Sequence, residues 1–414
     1  MMKKLLNLLF IFSLAMVLIA CNNNTSDTLP VETDFAQNDE QLPDVAEYDE
    51  AEYPFAGVIA IVTNTIDQNE EEFRSAEALV ARYGADKVIH RTWPIMFSQE
   101  GEMMISILAE LAEMPELRAI IINQAVANTS AAIDAVREMR GNDIFIVAIA
   151  PLWEDPAEVS SRADLVFDLN HHGVGQHFVN QAVAMGAETI IHYSFPRHMA
   201  VPWLAARRDW IKEAAEAAGI TFYEATVPDG EGSGAAPLLF VSQDVRRQVA
   251  EHGVNTVFFA TNCGHNMPIL AQVLASGALY VQPCCPSPFH VFPTALGLAA
   301  DQSEALAFFS PLEIVEATRA VIAEADMTGR LSNWALPGNL VWTEVGFYYA
   351  VEWINGNAAG GGGQPVDLNL IHNIVGDVAY RMYGERKYKY LSLQVIDSEE
   401  FPLIVVGLSP YIVY

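Results

Sequence analysis

From Ala56 onward, short continuous apolar runs alternate with stretches of helical periodicity. Gly57–Val62, Lys87–His90, Arg118–Ile122, Ile144–Ile149 and the short Leu165–Phe167 read as buried strands, because apolar residues dominate them with little polar interruption. Between them lie helical patterns. Glu70–Tyr83 places Phe73, Ala76, Leu79, Val80 and Tyr83 at helical spacing and meets Gly84 as a C-terminal stop. Gly101–Met114 repeats Met104, Ile107, Leu108 and Leu111 on one amphipathic face, and Asn128–Arg140 continues the series. The rhythm then restarts, with strands Thr189–His192, Thr221–Ala225, Thr256–Phe259 and Ala278–Val281 and helices Gly173–Ala187, Trp203–Ala218, Asp244–His252 and Met267–Ala275. Two successive βα series of similar size predict an α/β protein of two doubly wound parallel-sheet lobes joined by a hinge.

After Pro288 the pattern turns mostly helical (Thr294–Ala307, Leu312–Asp326, Trp342–Asn355), with a loop at Gly360–Gly363 and two late strands, Tyr390–Ile396 and Pro402–Gly407. The expected boundaries are a first lobe at 55–172, a second at 173–288, and a return segment at 289–414 that completes the first lobe.

The N-terminus follows a different logic. Lys3 and Lys4 precede the apolar run Leu5–Ala20, which ends in Leu18-Ile19-Ala20-Cys21. That order is a bacterial secretory signal with a lipobox, so residues 1–21 are expected to be a signal whose cleavage leaves Cys21 lipidated. The run has 16 residues, short of the roughly 20 that span a bilayer as a helix. Residues 22–54 contain no Lys or Arg and are rich in Asn, Asp, Glu, Thr and Pro, the composition of an acidic, disordered tether. The expected location is the extracytoplasmic side of a cell membrane. The formal charge of −30 repels polyanions and excludes nucleic acid as a partner.

In an open parallel sheet, ligands lie beyond the carboxyl ends of the strands, so the residues there are the candidates. In the first lobe these ends carry Thr63-Asn64-Thr65, Arg91-Thr92-Trp93, Asn123-Gln124, Pro151-Leu152-Trp153 and Asp168-Leu169-Asn170-His171-His172. In the second they carry Tyr193-Ser194-Phe195-Pro196-Arg197-His198, Pro228-Asp229, Thr261-Asn262-Cys263 and Gln282-Pro283-Cys284-Cys285. Rings beside fixed donors and acceptors suit a small-molecule cleft. The expected ligand-binding set is Thr63, Arg91, Trp93, Asn123, Gln124, Trp153, Asp168, Asn170, Tyr193, Phe195, Arg197, His198, Asn262 and Gln282. Asp168 and Asn170 are equally suited to capping the following helix, and Arg207 and Arg208 read as a solvated helix face.

Four cysteines occur, and with Cys21 assigned to lipid an odd three remain. Cys263, His265, Cys284, Cys285 and His290 stand near two neighbouring strand ends, but their spacing matches no zinc motif and adjacent cysteines rarely chelate one ion. Buried free thiols lead, with a Cys263 disulfide to one of the pair and a metal left open; no cofactor or metal is expected. Gly230-Glu231-Gly232-Ser233-Gly234 fits neither a nucleophile elbow nor a phosphate-binding loop, and there is no HExxH.

Phe73-Arg74-Ser75-Ala76-Glu77, Ile122-Asn123-Gln124-Ala125, Ile191-His192-Tyr193-Ser194-Phe195-Pro196-Arg197-His198-Met199, Thr261-Asn262-Cys263 and Cys284-Cys285-Pro286-Ser287-Pro288 together resemble a family of bacterial lipoproteins. The fold of that family resembles the type I periplasmic binding proteins, which include sugar, amino-acid and nucleoside receptors of ABC importers. The resemblance covers roughly residues 55–414 and implies fold and broad role, leaving the substrate open. The resulting expectation is a lipid-anchored solute-binding protein that closes on a small polar solute (a sugar, nucleoside or carboxylate) and presents it to an ABC permease. Arg91 and Arg197 are expected to meet its anionic or hydroxyl-rich groups, Trp93 and Phe195 to stack, and Asn123, Asp168 and Asn262 to orient it. No catalytic residue is expected. The alternatives are an enzyme using His192 or His198 with Cys263 or Cys285, and a sensor for a membrane partner.

Overall fold

A computed structural model describes residues 53–66, 69–94, 100–151, 154–228, 235–298, 311–361, 364–383, 392–396 and 404–414. The expected signal with Cys21 and the expected tether up to residue 52 lie outside the described residues. The first lobe is built from β1 (Val58–Thr63), α1 (Glu70–Tyr83), β2 (Val88–Thr92), α2 (Gly101–Ala112), β3 (Leu117–Asn123), α3 (Thr129–Arg140), β4 (Phe145–Ile149), α4 (Pro156–Ser160) and β5 (Leu165–Leu169). The second follows with α5 (His171–Ala184), β6 (Thr189–Ser194), α6 (Pro196–Met199), α7 (Pro202–Ala218), β7 (Thr221–Thr226), α8 (Ala235–His252), β8 (Thr256–Ala260) and α9 (Cys263–Ser276). The chain ends with α10 (Phe292–Ala295), α11 (Pro311–Glu324), β9 (Ser332–Trp334), α12 (Gly338–Ile354), α13 (Leu368–Tyr383), β10 (Ser392–Ile396), β11 (Ile404–Leu408) and β12 (Tyr411–Val413).

The first sheet has the order β10-β11-β5-β4-β3-β1-β2, parallel throughout except for the edge strand β10. Its central strands are apolar on both faces because both faces are covered. Ile59, Ile61, Ile121, Val147 and Phe167 point into one core with α1, α12 and α13. Their neighbours Ala60, Val62, Ile120, Ile122 and Ile146 point into the opposite core with α2 and α3. Close approach of α12 depends on Gly346, where an added Cβ would stand 3.0 Å from Val147 Cγ1.

The second sheet, β7-β6-β8, is also parallel and also covered on both faces. Tyr193, Phe258 and Ala260 pack with α8, α9 and α11, while Ile190, Val257 and Phe259 pack with α5 and α7. The expected strand Ala278–Val281 survives as single parallel bridges, Val257–Leu279 and Tyr280–Leu331. Pro283, lacking an N–H, ends any further pairing. Among the described residues no helix is long and apolar enough to cross a membrane.

The segment 289–414, expected to return whole to the first lobe, divides instead. Val315, Ile322, Met327, Leu331, Ile412 and Tyr414 are buried in the second-lobe core, whereas α12, α13 and β11 complete the first. The chain therefore crosses between lobes three times, and the crossings meet in one apolar cluster of Leu169, Val174, Trp334 and Leu408. Backbone bonds tie the crossings together: Asn170 N donates to Gly407 O at 3.2 Å and Ala335 N to Pro410 O at 2.8 Å.

The helix α13 is absent from the sequence expectation, although Ile371, Ile374, Val375, Val378, Ala379 and Met382 form a regular buried stripe. Asp367 starts it by accepting from Asn369 N at 3.0 Å and Leu370 N at 3.1 Å. Of the helix expected at Thr294–Ala307, only the opening overlaps α10, and residues 299–310 lie outside the described residues.

Candidate functional site

Residues beyond the carboxyl ends of strands in both sheets meet around Glu71, whose carboxyl bonds both Leu340 N and Ser287. On the first-lobe side, β1 ends at Thr63-Asn64, and Asn69 opens α1 by accepting from Glu72 N at 3.3 Å. This puts Glu71 and Glu72 in the first turn, both buried. Glu71 Oε1 accepts from Leu340 N at 3.2 Å, and its carboxyl is also hydrogen-bonded to Ser287 of the second lobe. Burial pushes Glu71 up to about 7, against the opposing pull of Ser287, His290 and the Leu340 amide. Asn64 Nδ2 donates to Glu72 Oε2 at 3.4 Å and Gln124 adds a second bond, while Glu72 Oε1 has no partner among the described residues. Burial, then the neighbouring Glu71, hold Glu72 well above the ordinary carboxylate range.

The second-lobe side is sulfur-rich. Asn262, two residues past β8, caps α9, accepting from Gly264 N at 2.9 Å, which fixes Cys263 in the first helical position. The segment after Val281 runs through Pro283, Pro286 and Pro288 and delivers Cys284, Cys285, Ser287 and His290. The sulfurs of Cys263 and Cys284 stand 3.2 Å apart, and Cys285 is 3.9 Å from each. Asn266 braces them: its Nδ2 donates to Asn262 O at 3.0 Å and reaches Cys284 Sγ at 3.5 Å, while its Oδ1 accepts from Tyr280 OH at 3.1 Å. Arg207 comes from α7, 3% exposed, with Nη1 donating to Cys284 O at 3.3 Å and its plane over Trp203 and Phe259. Hydrogen bonds from Cys263 and Cys285, helped by Arg207, hold the Cys284 thiol well below its usual value. Cys263 is correspondingly raised by its bonds to Cys284 and Cys285. For Cys285, the bond to Cys263 pulls down, but the bond to Cys284 and burial push it up to about 12.

The expected site residues divide sharply. Gln124 reaches Glu72, Asn262 positions Cys263, and Asp168 contributes a favourable field at Arg207. Gln282 is buried beside the cysteine pair in sequence and accepts from Tyr411 OH. Thr63 and Asn123 are buried at strand ends, Thr63 Oγ1 lying 2.8 Å from His90 Nε2 and Asn123 Oδ1 accepting from Thr343 at 2.6 Å. Asn170 caps α5, accepting from Gly173 N at 2.8 Å, and Asp168 accepts from Leu169 N at 2.7 Å and lies 3.1 Å from His171 Nε2.

The remaining members have other surroundings. Trp93 is 1% exposed and its indole donates to Asn123 O at 3.1 Å, so its ring is packing rather than a stacking face. Arg91 is exposed on the edge strand β2, donating to His90 O. Tyr193 is in the second-lobe core with its hydroxyl on Asp244 at 3.0 Å. Phe195 and His198 pack ring on ring, His198 lies 3.1 Å from Thr261 Oγ1, and exposed Arg197 stacks on Phe195. Trp153 lies outside the described residues. Arg207, read as solvated, is buried because it shares a face with Leu204, Ile211 and Ala214. Glu71 and Glu72 escaped the sequence reading, although Glu72 falls on the Ala76–Leu79–Tyr83 face of α1 at i, i+4, i+7 and i+11.

Residues 58–332 match the model of a family described as a protein of unknown function, DUF3798. The chain belongs to that family. This DUF3798 protein is 31% identical over 175 residues to an uncharacterized protein of Treponema pallidum (strain Nichols), covering 41% of this chain and 79% of that relative. Among solved structures it is similar to a putative transcriptional regulator from Clostridium difficile 630, at 19% identity and TM-score 0.69 over 87% of this chain and all of the other (100%). It is also similar to an ABC transporter solute binding protein from Clostridium phytofermentas with bound L-rhamnose, at 11% identity and TM-score 0.50 over 86% of this chain and 96% of that one. At these identities the likeness is one of fold. The DUF3798 chain has the two-lobed α/β fold of the type I periplasmic binding proteins.

Proposed function

We propose that the protein is a lipid-anchored, extracytoplasmic solute-binding protein that holds a small polar solute between its lobes and hands it to an ABC permease. One observation carries the reading: buried Glu71 and Glu72 of the first lobe, with half-buried Gln124 on Glu72, meet buried Ser287 of the second lobe, where Glu71 bonds Ser287 across the lobes near the three chain crossings, and Arg207 is buried on the second-lobe side. A protonated carboxyl both donates and accepts, and beside amides and a guanidinium it suits a polyhydroxy ligand. The fold likeness to a protein with bound L-rhamnose supports the same class. The lipobox Leu18-Ile19-Ala20-Cys21 supports tethering near a permease. Binding without turnover is the reading preferred over an enzyme using His192 or His198, since His192 is sealed between Phe222 and Phe259 in the second-lobe core and His198 is packed on Phe195 beside Thr261.

The test is a thermal-unfolding screen of the full-length chain in detergent against monosaccharides, nucleosides and small carboxylates. A solute present at about 100 times its Kd stabilises by about 2.7 kcal/mol, a shift of several degrees. The reading expects one sugar or related polyol to produce that shift; no shift from any class would overturn it.

A further inference from the structure

The three cysteines and His290 exceed what solute capture needs. The donor atoms of Cys263, Cys284 and His290 lie within 4.8 Å of one another, drawn from α9 and from the loop after Val281. The sulfur separations of 3.2, 3.9 and 3.9 Å are far beyond the about 2.05 Å of a disulfide. The two separations of 3.9 Å match the about 3.8 Å edge that tetrahedral coordination imposes when metal–sulfur bonds are about 2.3 Å, and the Cys263–Cys284 pair at 3.2 Å is closer than that edge. A second observation points the same way: His290 Nε2 is shielded from water and has no hydrogen-bond partner among the described residues. The charge environment also favours an anionic thiolate set. Arg207 is buried, forms no ion pair with a carboxylate among the described residues, and leaves its Nε unpartnered beside the sulfurs.

We infer that Cys263, Cys284 and His290, with Cys285 beside them, form a site for a thiophilic metal ion of the Zn(II) class on the second-lobe wall of the cleft. Two thiolates, an imidazole and a third sulfur within reach are the donors that select zinc or Cu(I) over hard cations. Binding releases the thiol protons to solvent and forms metal–sulfur and metal–nitrogen bonds, with no change in oxidation state. A divalent ion with Cys263 and Cys284 as thiolates is neutral; a third thiolate from Cys285 leaves one negative charge, which Arg207 matches. Asn266 and Tyr280 hold the sulfur loop in place from behind. The inference does not rest on which solute the cleft takes, so a chain that binds zinc and no sugar, or the reverse, separates it from the functional proposal.

The full-length chain in detergent, stripped with a chelator and fully reduced, is titrated with Zn2+ against a chromophoric competitor, and with Co2+ as a spectroscopic probe. The expected result is one ion per chain and a thiolate-to-cobalt charge-transfer band. Cys284→Ser and His290→Ala should each weaken binding at least about 100-fold, with folding checked by thermal unfolding. Cys285→Ser should weaken it by about tenfold. Should a variant not fold, Zn2+ protection of the wild-type thiols from alkylation gives the same answer, slowing modification of Cys263 and Cys284 by at least about tenfold. No stoichiometric zinc in the reduced wild type, unchanged affinity in both first-named variants, or equal alkylation rates with and without zinc would overturn the inference.

Discussion

The two walls of the cleft occupy equivalent places in their lobes, the carboxyl edge of a parallel sheet, yet they carry opposite chemistry. The first-lobe wall offers oxygen: Glu71 and Glu72 are buried at the start of α1, with amide and hydroxyl partners and no cation salt-bridged to them among the described residues. The second-lobe wall offers sulfur and a buried guanidinium: Arg207 lies beside Cys263, Cys284 and Cys285. Burial leads in driving both carboxyls toward their neutral form, and at Glu72 the neighbouring Glu71 adds to it. On the sulfur wall, hydrogen bonds from Cys263 and Cys285, helped by Arg207, hold one thiol of three low against the effect of burial. Like positions in like folds thus acquire different ionisation from what else is buried with them.

The comparison requires the hinge to hold the walls opposite one another. Trp334, fully buried with Leu169, Val174 and Leu408, is the largest side chain in that cluster. Trp334→Ala should cost about 3–5 kcal/mol in denaturant unfolding, the largest effect expected here. A loss below about 1 kcal/mol would mean that the crossings are held by other contacts.

The carboxyl wall is tested next by pH. Glu71 rises from 4.5 to about 7 on folding, so the stability its neutral form contributes is intact below 4.5 and is lost as pH rises through about 7. Glu72 shifts in the same direction. Glutamine cannot ionise, so Glu71→Gln/Glu72→Gln should be more stable than the wild type at pH 8 by about 1–3 kcal/mol, with the gain vanishing near pH 5. Equal stabilities across that range would contradict a carboxyl wall held neutral by burial.

The second lobe should respond to acid in the opposite sense. His192 falls from 6.5 to about 3 because it is buried and lies near Arg207 and Arg208, so folding is weakened as pH falls from 6.5 toward 3. His192→Phe should remove about 1 kcal/mol of the stability lost between pH 6 and pH 5. An unchanged acid limb would locate that sensitivity elsewhere. The smallest effect is expected from Arg91→Ala, which should alter stability by less than about 0.5 kcal/mol and leave solute affinity unchanged, since Arg91 is exposed on the edge strand.

The fold was largely legible because continuous apolar strands and helical stripes report burial on both faces of a sheet, as in β1 and α2. The division of the tail was not. Ser332–Trp334 and Tyr411–Val413 are too short to carry a period, and their pairing is a tertiary matter. The helix α13 was legible and missed, its stripe overshadowed by the glycine run before it. Strand-end reasoning singled out Gln124 and Asn262 and noted the cysteines beside them, because topology alone puts strand ends together; the structure sets Gln124 on Glu72 and Asn262 at the start of α9. It passed over Glu71 and Glu72 because in a chain with 52 acidic residues a carboxylate is unremarked until its helical face is counted. It placed Trp93 and Arg91 at the cleft because strand-end position does not reveal whether a side chain turns into the core or toward an edge.

The central claim is that the two walls enclose one polar solute. Native mass spectrometry of the full-length chain, before and after mild unfolding, tests it most directly when wild type and Glu71→Ala/Glu72→Ala are compared after incubation with the solute found by thermal screening. The account predicts one small polar molecule per wild-type chain, released on unfolding, and none on the folded double variant. An adduct retained by the double variant, or a wild-type chain that carries none, would contradict it.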